Sequence, residues 1–159
     1  MNQTHNTNFY EMLTAACRKN GKGTAVFNDK EKTTYHALKQ EVDTVAAYLQ
    51  NMGVKFGDKV ALAVSNSPEF ISAYFAVSAI GAVAVPMNTF LKNNEYAYIL
   101  NDCKARFMFA SAGLQKELKG LKKQTRVEKI IWIGERKRKS LLVIAIETEE
   151  QAGKLGDTG

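Results

Sequence analysis

The sequence has few of the residues that mark disordered or disulfide-bonded proteins. It contains two prolines and two cysteines among 159 residues, of which 45% are hydrophobic. This balance argues against intrinsic disorder and suits one ordinary soluble domain. Cys17 and Cys103 each fall in an amphipathic helical pattern, and no Cys-x-x-C occurs. We therefore expect two reduced thiols in or near a core, with no disulfide and no metal site.

Long uncharged runs are also scarce. Residues 70–87 form a stretch without charge that approaches the length of a bilayer span. Gly81 and Pro86 interrupt it, and its pattern changes period at Gly81, which favours a buried helix followed by a buried strand. Residues 1–13 have neither a basic start nor an apolar run. We therefore expect no membrane segment, no secretory signal and a cytoplasmic location.

The most informative segment that is present covers residues 59–87. It begins with a short apolar run typical of a strand buried on both faces, with Val60, Leu62 and Val64. Ser67 and Pro68 then suit the N-cap and the first position of a helix that Gly81 ends. Residues 82–85 form a second buried strand. Two short strands joined by one such helix must be parallel, so the fold class is α/β.

The other elements continue this alternation. Within the helix after Ser67, the apolar spacing predicts that the Phe75 ring is buried between helix and sheet. We expect further helices at 8–19, 35–52, 93–101 and 113–123, and strands at 24–28, 32–34, 106–110 and 129–133. The expected architecture is a partial doubly wound, mainly parallel sheet with flanking helices.

Five stretches follow one another along the chain: residues 34–38 (TYHAL), 53–60 (GVKFGDKV), 66–70 (NSPEF), 81–88 (GAVAVPMN) and 95–102 (EYAYILND). In this order and spacing they resemble the N-terminal part of the adenylate-forming (AMP-binding) acyl-CoA synthetase family, which includes fatty-acid, acetate and aryl-acid CoA ligases. The resemblance covers roughly residues 8–135. One departure is Ala37, where the family usually has an acidic or polar residue, so the capping box after Thr34 is lost.

The resemblance implies a ligase that joins a carboxylic or fatty acid to coenzyme A through an acyl-adenylate, with ATP, Mg²⁺ and CoA as the family's cofactors. The family's Ser/Thr/Gly-rich loop ending in Pro-Lys-Gly, which holds the triphosphate, does not occur in this sequence. Its later elements, including the catalytic lysine, do not occur either. No catalytic, cofactor-binding or metal-binding residue can therefore be assigned. We expect no cofactor on this chain and no activity by itself.

Single polar residues do not indicate a site. His5 lies in a polar N-terminal segment, and His36 lies in the first turn of a helix. Neither has a Ser, Cys or carboxylate at a spacing typical of a triad or metal site, so structural roles are expected. The turn at residues 64–67 contains no glycine, which counts against a dinucleotide-binding loop.

The net charge of +6 is local. Residues 116–139 carry ten Lys or Arg and three Glu, whereas the rest of the chain has a net charge of −1. Only Trp132 offers an aromatic side chain nearby, so we expect a solvated helix face and a basic loop, and no nucleic-acid partner. Anionic partners, such as coenzyme A phosphates, nucleic acid or lipid, are the alternative.

The resemblance divides the chain into an N-terminal ligase subdomain, residues 1–135, and a tail, residues 136–159. The tail shows no resemblance to the family. Two interpretations of the tail stay open. A change of reading frame near Arg136 is one, and a variable loop followed by a strand at residues 141–146 is the other. DNA sequence downstream of Arg136 in three frames would separate them.

Three functional hypotheses follow. The first is a truncated N-terminal portion of an AMP-forming acyl-CoA synthetase, inactive alone. The second is a non-catalytic module that docks on the remainder of a ligase or associates with itself. The third is an independent small α/β domain that binds a ligand at its strand ends, which would purify with a flavin or nucleotide. The acid substrate of the parent enzyme is not encoded in any motif present here.

Overall fold

The computed structural model describes residues 8–28 and 31–134, which form two compact units. The first unit comprises the described residues up to Asp58 together with Asn66–Ala84. The second comprises Lys59–Ser65 together with the described residues from Val85 onward. The predicted boundary at residue 135 and the predicted strand at 141–146 lie outside the described residues.

The first unit contains three helices and a hairpin: α1 (Phe9–Asn20), β1 (Thr24–Asn28), β2 (Glu31–Thr34), α2 (Tyr35–Asn51) and α3 (Pro68–Ala79). Each helix begins with a side-chain cap. The amide of Glu11 donates to Asn8 Oδ1 at 2.9 Å, that of Ala37 to Thr34 Oγ1 at 3.2 Å, and that of Phe70 to Ser67 Oγ at 3.3 Å. The predicted Ser67 cap is confirmed, and Thr34 caps α2 although Ala37 removes the second half of a capping box.

The hairpin connects α1 to α2. Strands β1 and β2 pair antiparallel, with Phe27 opposite Lys32 and Asn28 opposite Glu31, and the register shifts between Thr24 and Val26. Two backbone bonds continue this pairing into α2, from Tyr35 N–H to Gly23 O at 3.1 Å and from His36 N–H to Gly21 O at 2.9 Å. The predicted hairpin is therefore confirmed, and it fixes the first turn of α2 beside the end of α1.

The prediction for the buried face of α3 was wrong. Its buried residues are small ones, Ser72, Ala73, Ala76 and Val77. Phe75 is half-buried, and its ring contacts that of Phe9 at a centroid distance of 6.1 Å. Because α3 is apolar on most of its surface, hydrophobic spacing cannot select one face. Small side chains face α2 because they allow the two helices to approach closely.

A buried polar contact lies between α2 and α3. Ser72 is fully buried and Glu41 is 5% exposed. The Ser72 hydroxyl donates to Glu41 Oε2 at 2.9 Å. A buried carboxylate without hydrogen-bond donors would cost several kcal/mol, so this hydroxyl helps to offset the desolvation of Glu41. This hydrogen bond also favours one alignment of α2 along α3, the one that places Glu41 beside Ser72.

The second unit contains β3 (Lys59–Ala63), α4 (Asn93–Cys103), β5 (Phe107–Ser111), a 3₁₀ turn (Ala112–Leu114), α5 (Leu121–Gln124) and β6 (Lys129–Ile133). Strand β4 (Val83–Pro86) begins in the first unit and ends in the second. The sheet order is β4-β3-β5-β6. Strand β5 pairs parallel with both neighbours, Val60 standing opposite Phe107 and Phe107 opposite Lys129. The predicted α/β class with a parallel sheet is confirmed.

The core of the second unit lies between the sheet and helices α4 and α5. Tyr96 and Leu100 of α4 are fully buried, as are Met108 of β5 and Leu121 of α5. The Tyr96 hydroxyl donates to the carbonyl of Asn88 at 2.8 Å, so this phenol is buried and satisfied. Burial raises the pKa of Tyr96, and the negative charge of Glu117 raises it further.

The predicted helix at residues 113–123 was also wrong. A 3₁₀ turn and the four-residue helix α5 take its place. Gly120 lies between them with φ of 79°, in the left-handed region. A continuous helix cannot pass through that conformation, which glycine adopts without strain.

The uncharged stretch at residues 70–87 folds as two elements. It contains most of α3, a turn at Gly81 with φ of 70°, and strand β4. Across the described part of the chain, no helix combines the length and apolarity that crossing a bilayer requires.

The buried Leu100 and the half-buried Phe75 lead to a stability prediction. Leu100→Ala should lower the free energy of unfolding by about 2–5 kcal/mol, because it opens a cavity in the core. Phe75→Ala should cost about 1–2 kcal/mol, because that ring already meets water. Urea unfolding followed by circular dichroism measures both. An equal or larger loss for Phe75→Ala would show that the Phe75 ring is a core residue after all.

Candidate functional site

Two serines meet at the carboxyl edge of the sheet, where open α/β folds bind ligands. Ser65 follows β3, and Ser111 ends β5. The amide of Ser65 donates to Ser111 Oγ at 3.0 Å, and the two hydroxyl oxygens are 3.4 Å apart. Ser65 is exposed and Ser111 is half-buried. This edge therefore presents two neutral hydroxyl groups to solvent.

The loop after β4 reaches the same edge. The amide of Met87 donates to the carbonyl of Leu62 at 3.0 Å, which continues the pairing of β4 with β3. Asn88 follows, and its Oδ1 accepts the amide of Phe90 at 2.9 Å. Among the residues that the structure describes, this edge has hydroxyl and amide groups but neither a glycine-rich loop nor a lysine placed for a phosphate. These residues therefore do not fit an ATP triphosphate.

A cavity of about 410 Å³ lies between α1 and α2 in the first unit. It is lined by Tyr10, Thr14, Cys17, Arg18, His36 and Lys39. Within it, Cys17 Sγ lies 3.5 Å from His36 Nδ1. This distance is within hydrogen-bonding range for sulfur. The thiol and imidazole thus form a pair, the thiol–imidazole pair, at the wall of the cavity.

Gly21 explains how the imidazole reaches this position. Gly21 caps the end of α1 with an ordinary right-handed backbone, φ −59° and ψ −29°. A Cβ at Gly21 would overlap the His36 ring atoms Nε2 and Cδ2. Glycine is therefore required here for space and not for backbone conformation. The ring is held between Gly21 and Cys17.

Three polar side chains form a network on the other side of the same cavity. Lys39 Nζ donates to Asp43 Oδ2 at 2.7 Å and to the Tyr10 hydroxyl at 3.0 Å, and that hydroxyl donates to Asp43 Oδ1 at 2.8 Å. The hydrogen bond to Asp43, followed by that to Tyr10, raises the pKa of Lys39. Lys39 is therefore a fixed cation whose charge Asp43 largely compensates.

A second, smaller cavity of about 290 Å³ lies between the hairpin and the start of α3 in the first unit. It is lined by Val26, Phe27, Asn28, Asn66, Ser67, Pro68, Phe70 and Ile71. The lining is mostly apolar, and Ser67 Oγ is occupied in capping α3. This cavity offers apolar contact and carries no ionisable group.

The described part of the basic segment, residues 116–134, has no long helix that could present a charged face. Its acidic residues contact basic ones elsewhere in the second unit: Glu117 Oε2 lies 3.7 Å from Lys92 Nζ, and Glu128 Oε1 lies 2.7 Å from Arg106 Nε. Among the described residues, no three His, Cys, Asp or Glu side chains cluster as a metal site would require.

No site residues were predicted from the sequence, and the thiol–imidazole pair of Cys17 and His36 was missed. His36 was expected to have no cysteine at a useful spacing, yet Cys17, 19 positions earlier, lies against its ring. The hairpin between α1 and α2 brings them together. The available signal was this order of elements, because a short hairpin places the end of α1 beside the start of α2.

Comparison with known proteins assigns the chain to a family. A family model described as an AMP-binding enzyme matches residues 13–156, which is most of the chain. The chain belongs to the AMP-binding enzyme family. The matched region extends past Arg136 into the tail, residues 136–159.

Its similarity to individual AMP-binding enzymes covers limited stretches of them. The chain is 40% identical over 79 residues to crotonobetaine/carnitine–CoA ligase of Escherichia coli O139:H28 (strain E24377A / ETEC), which covers 50% of this chain and 15% of that ligase. The fold resembles the anthranilate CoA ligase AuaEII in complex with anthranoyl-AMP, with a TM-score of 0.76 and 30% identity over 80% of this chain and 25% of that one.

A third similar structure is the inhibitor-bound N-terminal domain of FACL13 from Mycobacterium tuberculosis, with a TM-score of 0.73 and 28% identity. The match covers 80% of this chain and 33% of that domain. The chain therefore spans well under half the length of the relatives and structures that it matches. The fold is that of the N-terminal region of adenylate-forming ligases.

The network around Lys39 leads to a test of its electrostatics. Asp43→Asn should lower the pKa of Lys39, because it removes the main group that stabilises the ammonium. Since a raised pKa stabilises the folded state below the unfolded value of about 10.4, this contribution is present at pH 7 and is lost as pH rises through the folded pKa.

Heteronuclear NMR of the Lys39 side chain measures that pKa, and Asp102→Asn serves as a matched control far from the network in sequence. Asp43 is 46% exposed, so the accompanying loss of stability at pH 7 should stay below about 1 kcal/mol. An unchanged Lys39 pKa in the Asp43 variant would contradict the network.

Proposed function

We propose that this chain is the N-terminal portion of an ATP-dependent, AMP-forming acid–CoA ligase and is inactive alone. The ligase would join a carboxylic acid, such as a fatty acid or an aryl acid, to coenzyme A through an acyl-adenylate. The observation that carries this proposal is the family match over residues 13–156. The family's triphosphate loop does not occur in this sequence. The similar folds of CoA ligases support it.

In this proposal, ATP, Mg²⁺ and CoA are bound by other parts of the ligase. At the sheet edge, Ser111 Oγ accepts the amide of Ser65 and lies within hydrogen-bonding distance of the Ser65 hydroxyl. Both hydroxyls are neutral and provide no charge for a triphosphate. The contribution of this chain is then to build the sheet and helices on which those parts rest. We also propose that the ligase works in the cytoplasm, because Cys17 and Cys103 are both free thiols.

Isotope exchange tests whether catalysis lies outside this chain. The purified chain should not exchange pyrophosphate into ATP with short-chain, long-chain or aryl acids at a rate above a no-protein control, because it lacks the loop and the lysine that adenylation uses. Exchange activity that co-purifies with the chain would show that the catalytic groups are present here, and the proposal would fail.

A chimera supplies the positive arm of this test. The matching stretch of the Escherichia coli crotonobetaine/carnitine–CoA ligase would be replaced by the corresponding segment of this chain. The chimera should retain measurable exchange with that ligase's own acid, whereas the same chimera with Leu100→Ala should lose stability and activity together. A folded chimera without exchange would mean that this segment does not serve as a ligase N-terminal region.

As its partner we propose the remainder of a ligase, with self-association as the outcome when that remainder is lacking. The first unit supports this with large exposed apolar side chains on α1 and β1: Phe9 is 48%, Met12 56% and Phe27 64% exposed. Exposed apolar groups of this size favour association. We propose no nucleic-acid partner, because residues 116–134, the described part of the basic segment, lack a helical face with interspersed aromatics.

Sedimentation velocity measures the association. The isolated chain should form dimers or larger species at micromolar concentrations, and Met12→Lys should shift it toward monomer by placing a charge on that surface. Lys19→Met, which removes a charge from the same helix, is the matched control and should not reduce association. A monomeric wild-type chain across the concentration range would exclude self-association through these residues.

A further inference from the structure

We propose that Cys17 and His36 form a reactive thiol site, which takes small electrophiles that carry a negative charge. The site lies wholly within the first unit, and the ligase reaction proposed above does not use it. It is therefore an additional modification site on this chain, defined by the thiol–imidazole pair and the cavity of about 410 Å³ on which it opens.

The pair has the geometry of a nucleophile and its base. Cys17 Sγ and His36 Nδ1 are 3.5 Å apart, so the thiol donates to Nδ1 when the imidazole proton is on Nε2. The backbone N–H of His36 donates to Gly21 O at 2.9 Å, which fixes the residue, and the close approach of Gly21 to the ring limits where the imidazole can lie. An imidazole nitrogen placed this close to a thiol can accept its proton as the sulfur attacks an electrophile.

The reaction with a haloacetate follows directly. The thiol proton passes from Cys17 Sγ to His36 Nδ1, and the thiolate attacks the methylene carbon of iodoacetate. An S–C bond forms as the C–I bond breaks, and iodide leaves with the electron pair of that bond. The imidazolium then gives its proton to water, which restores the neutral ring.

The charges that line the cavity favour an anionic reagent. Lys39 is largely compensated by Asp43, whose Oδ2 lies 2.7 Å from Nζ. Arg18 is exposed one residue beyond Cys17, and it makes no ion pair within the described ranges 8–28 and 31–134. Its guanidinium is therefore the positive group that can bind the carboxylate of an electrophile entering the cavity.

Cys103 provides an internal control in the same chain. Cys103 is half-buried, whereas Cys17 is only 7% exposed. The Sγ of Cys103 donates to the carbonyl of Leu100 at 3.7 Å. A carbonyl accepts a hydrogen bond but does not remove the proton. Exposure alone thus predicts faster reaction at Cys103, and the thiol–imidazole pair predicts faster reaction at Cys17.

Competition between the two thiols tests the proposal. The full chain would be treated with iodoacetate or iodoacetamide for increasing times, and labelling of each cysteine would be followed by peptide mass spectrometry. We expect Cys17 to react about tenfold faster than Cys103 in the folded chain and at an equal rate in urea. We also expect the ratio of iodoacetate to iodoacetamide rates to be higher at Cys17, and to fall as salt screens the attraction.

Two variants separate the base from the cation. His36→Asn should slow both reagents at Cys17 about tenfold, with circular dichroism confirming the fold. Arg18→Gln, an exposed change that leaves the core intact, should slow iodoacetate at Cys17 and leave iodoacetamide unchanged. The proposal is overturned if folded wild-type Cys17 reacts no faster than Cys103, or if Arg18→Gln slows both reagents equally.

Discussion

The pairing of β5 with a strand on each side is the constraint on which the sheet depends. Strand β5 forms parallel pairs with β3 and with β6, and its residues Phe107–Ala110 are all buried. Parallel strands cannot be joined by tight turns, so each neighbour of β5 requires a crossover through a helix or a longer connection. This requirement accounts for α4 before β5 and for the short helical turns after it. It also brings Ser65 and Ser111 to one edge.

Those elements whose patterns had a single interpretation were predictable from the sequence. Strands β1 and β6 match their predicted bounds, because each is a short apolar run between polar or turn residues. The helix starts at Ser67 and Thr34 follow from side chains whose hydroxyls accept backbone amides. The face of α3 did not follow, since apolar residues surround it and the choice depends on how closely α2 can approach.

The misassigned helix at 113–123 has a different cause. Its charged and apolar residues recur at helical spacing, but Gly113 and Gly120 divide it into pieces too short to be stable alone. Asn93 holds the resulting turns instead: its amide Nδ2 donates to the carbonyl of Glu117 at 2.7 Å, and its backbone N–H donates to Glu117 Oε1 at 2.7 Å. Such contacts join residues far apart in sequence and leave no local pattern.

The candidate sites were harder to predict than the fold for the same reason. A motif-based site, such as a triphosphate loop, is local and is recognised or missed as one stretch of sequence. The thiol–imidazole pair joins residues from two helices, and its geometry depends on Gly21, which no spacing rule connects with His36. Residues of this kind are found only when the connection between their elements is known.

The register of the β1–β2 hairpin also makes the chain unequal in its tolerance of insertions and deletions. The backbone bonds from Tyr35 to Gly23 and from His36 to Gly21 continue the hairpin ladder up to the imidazole. A residue gained or lost within β2 would reverse which strand face each side chain occupies and carry the ring away from the sulfur. A change of length at the hairpin tip leaves that ladder untouched. Natural length variation among homologues should therefore concentrate at the tip, while the spacing from Gly21 to His36 along the paired strands is preserved.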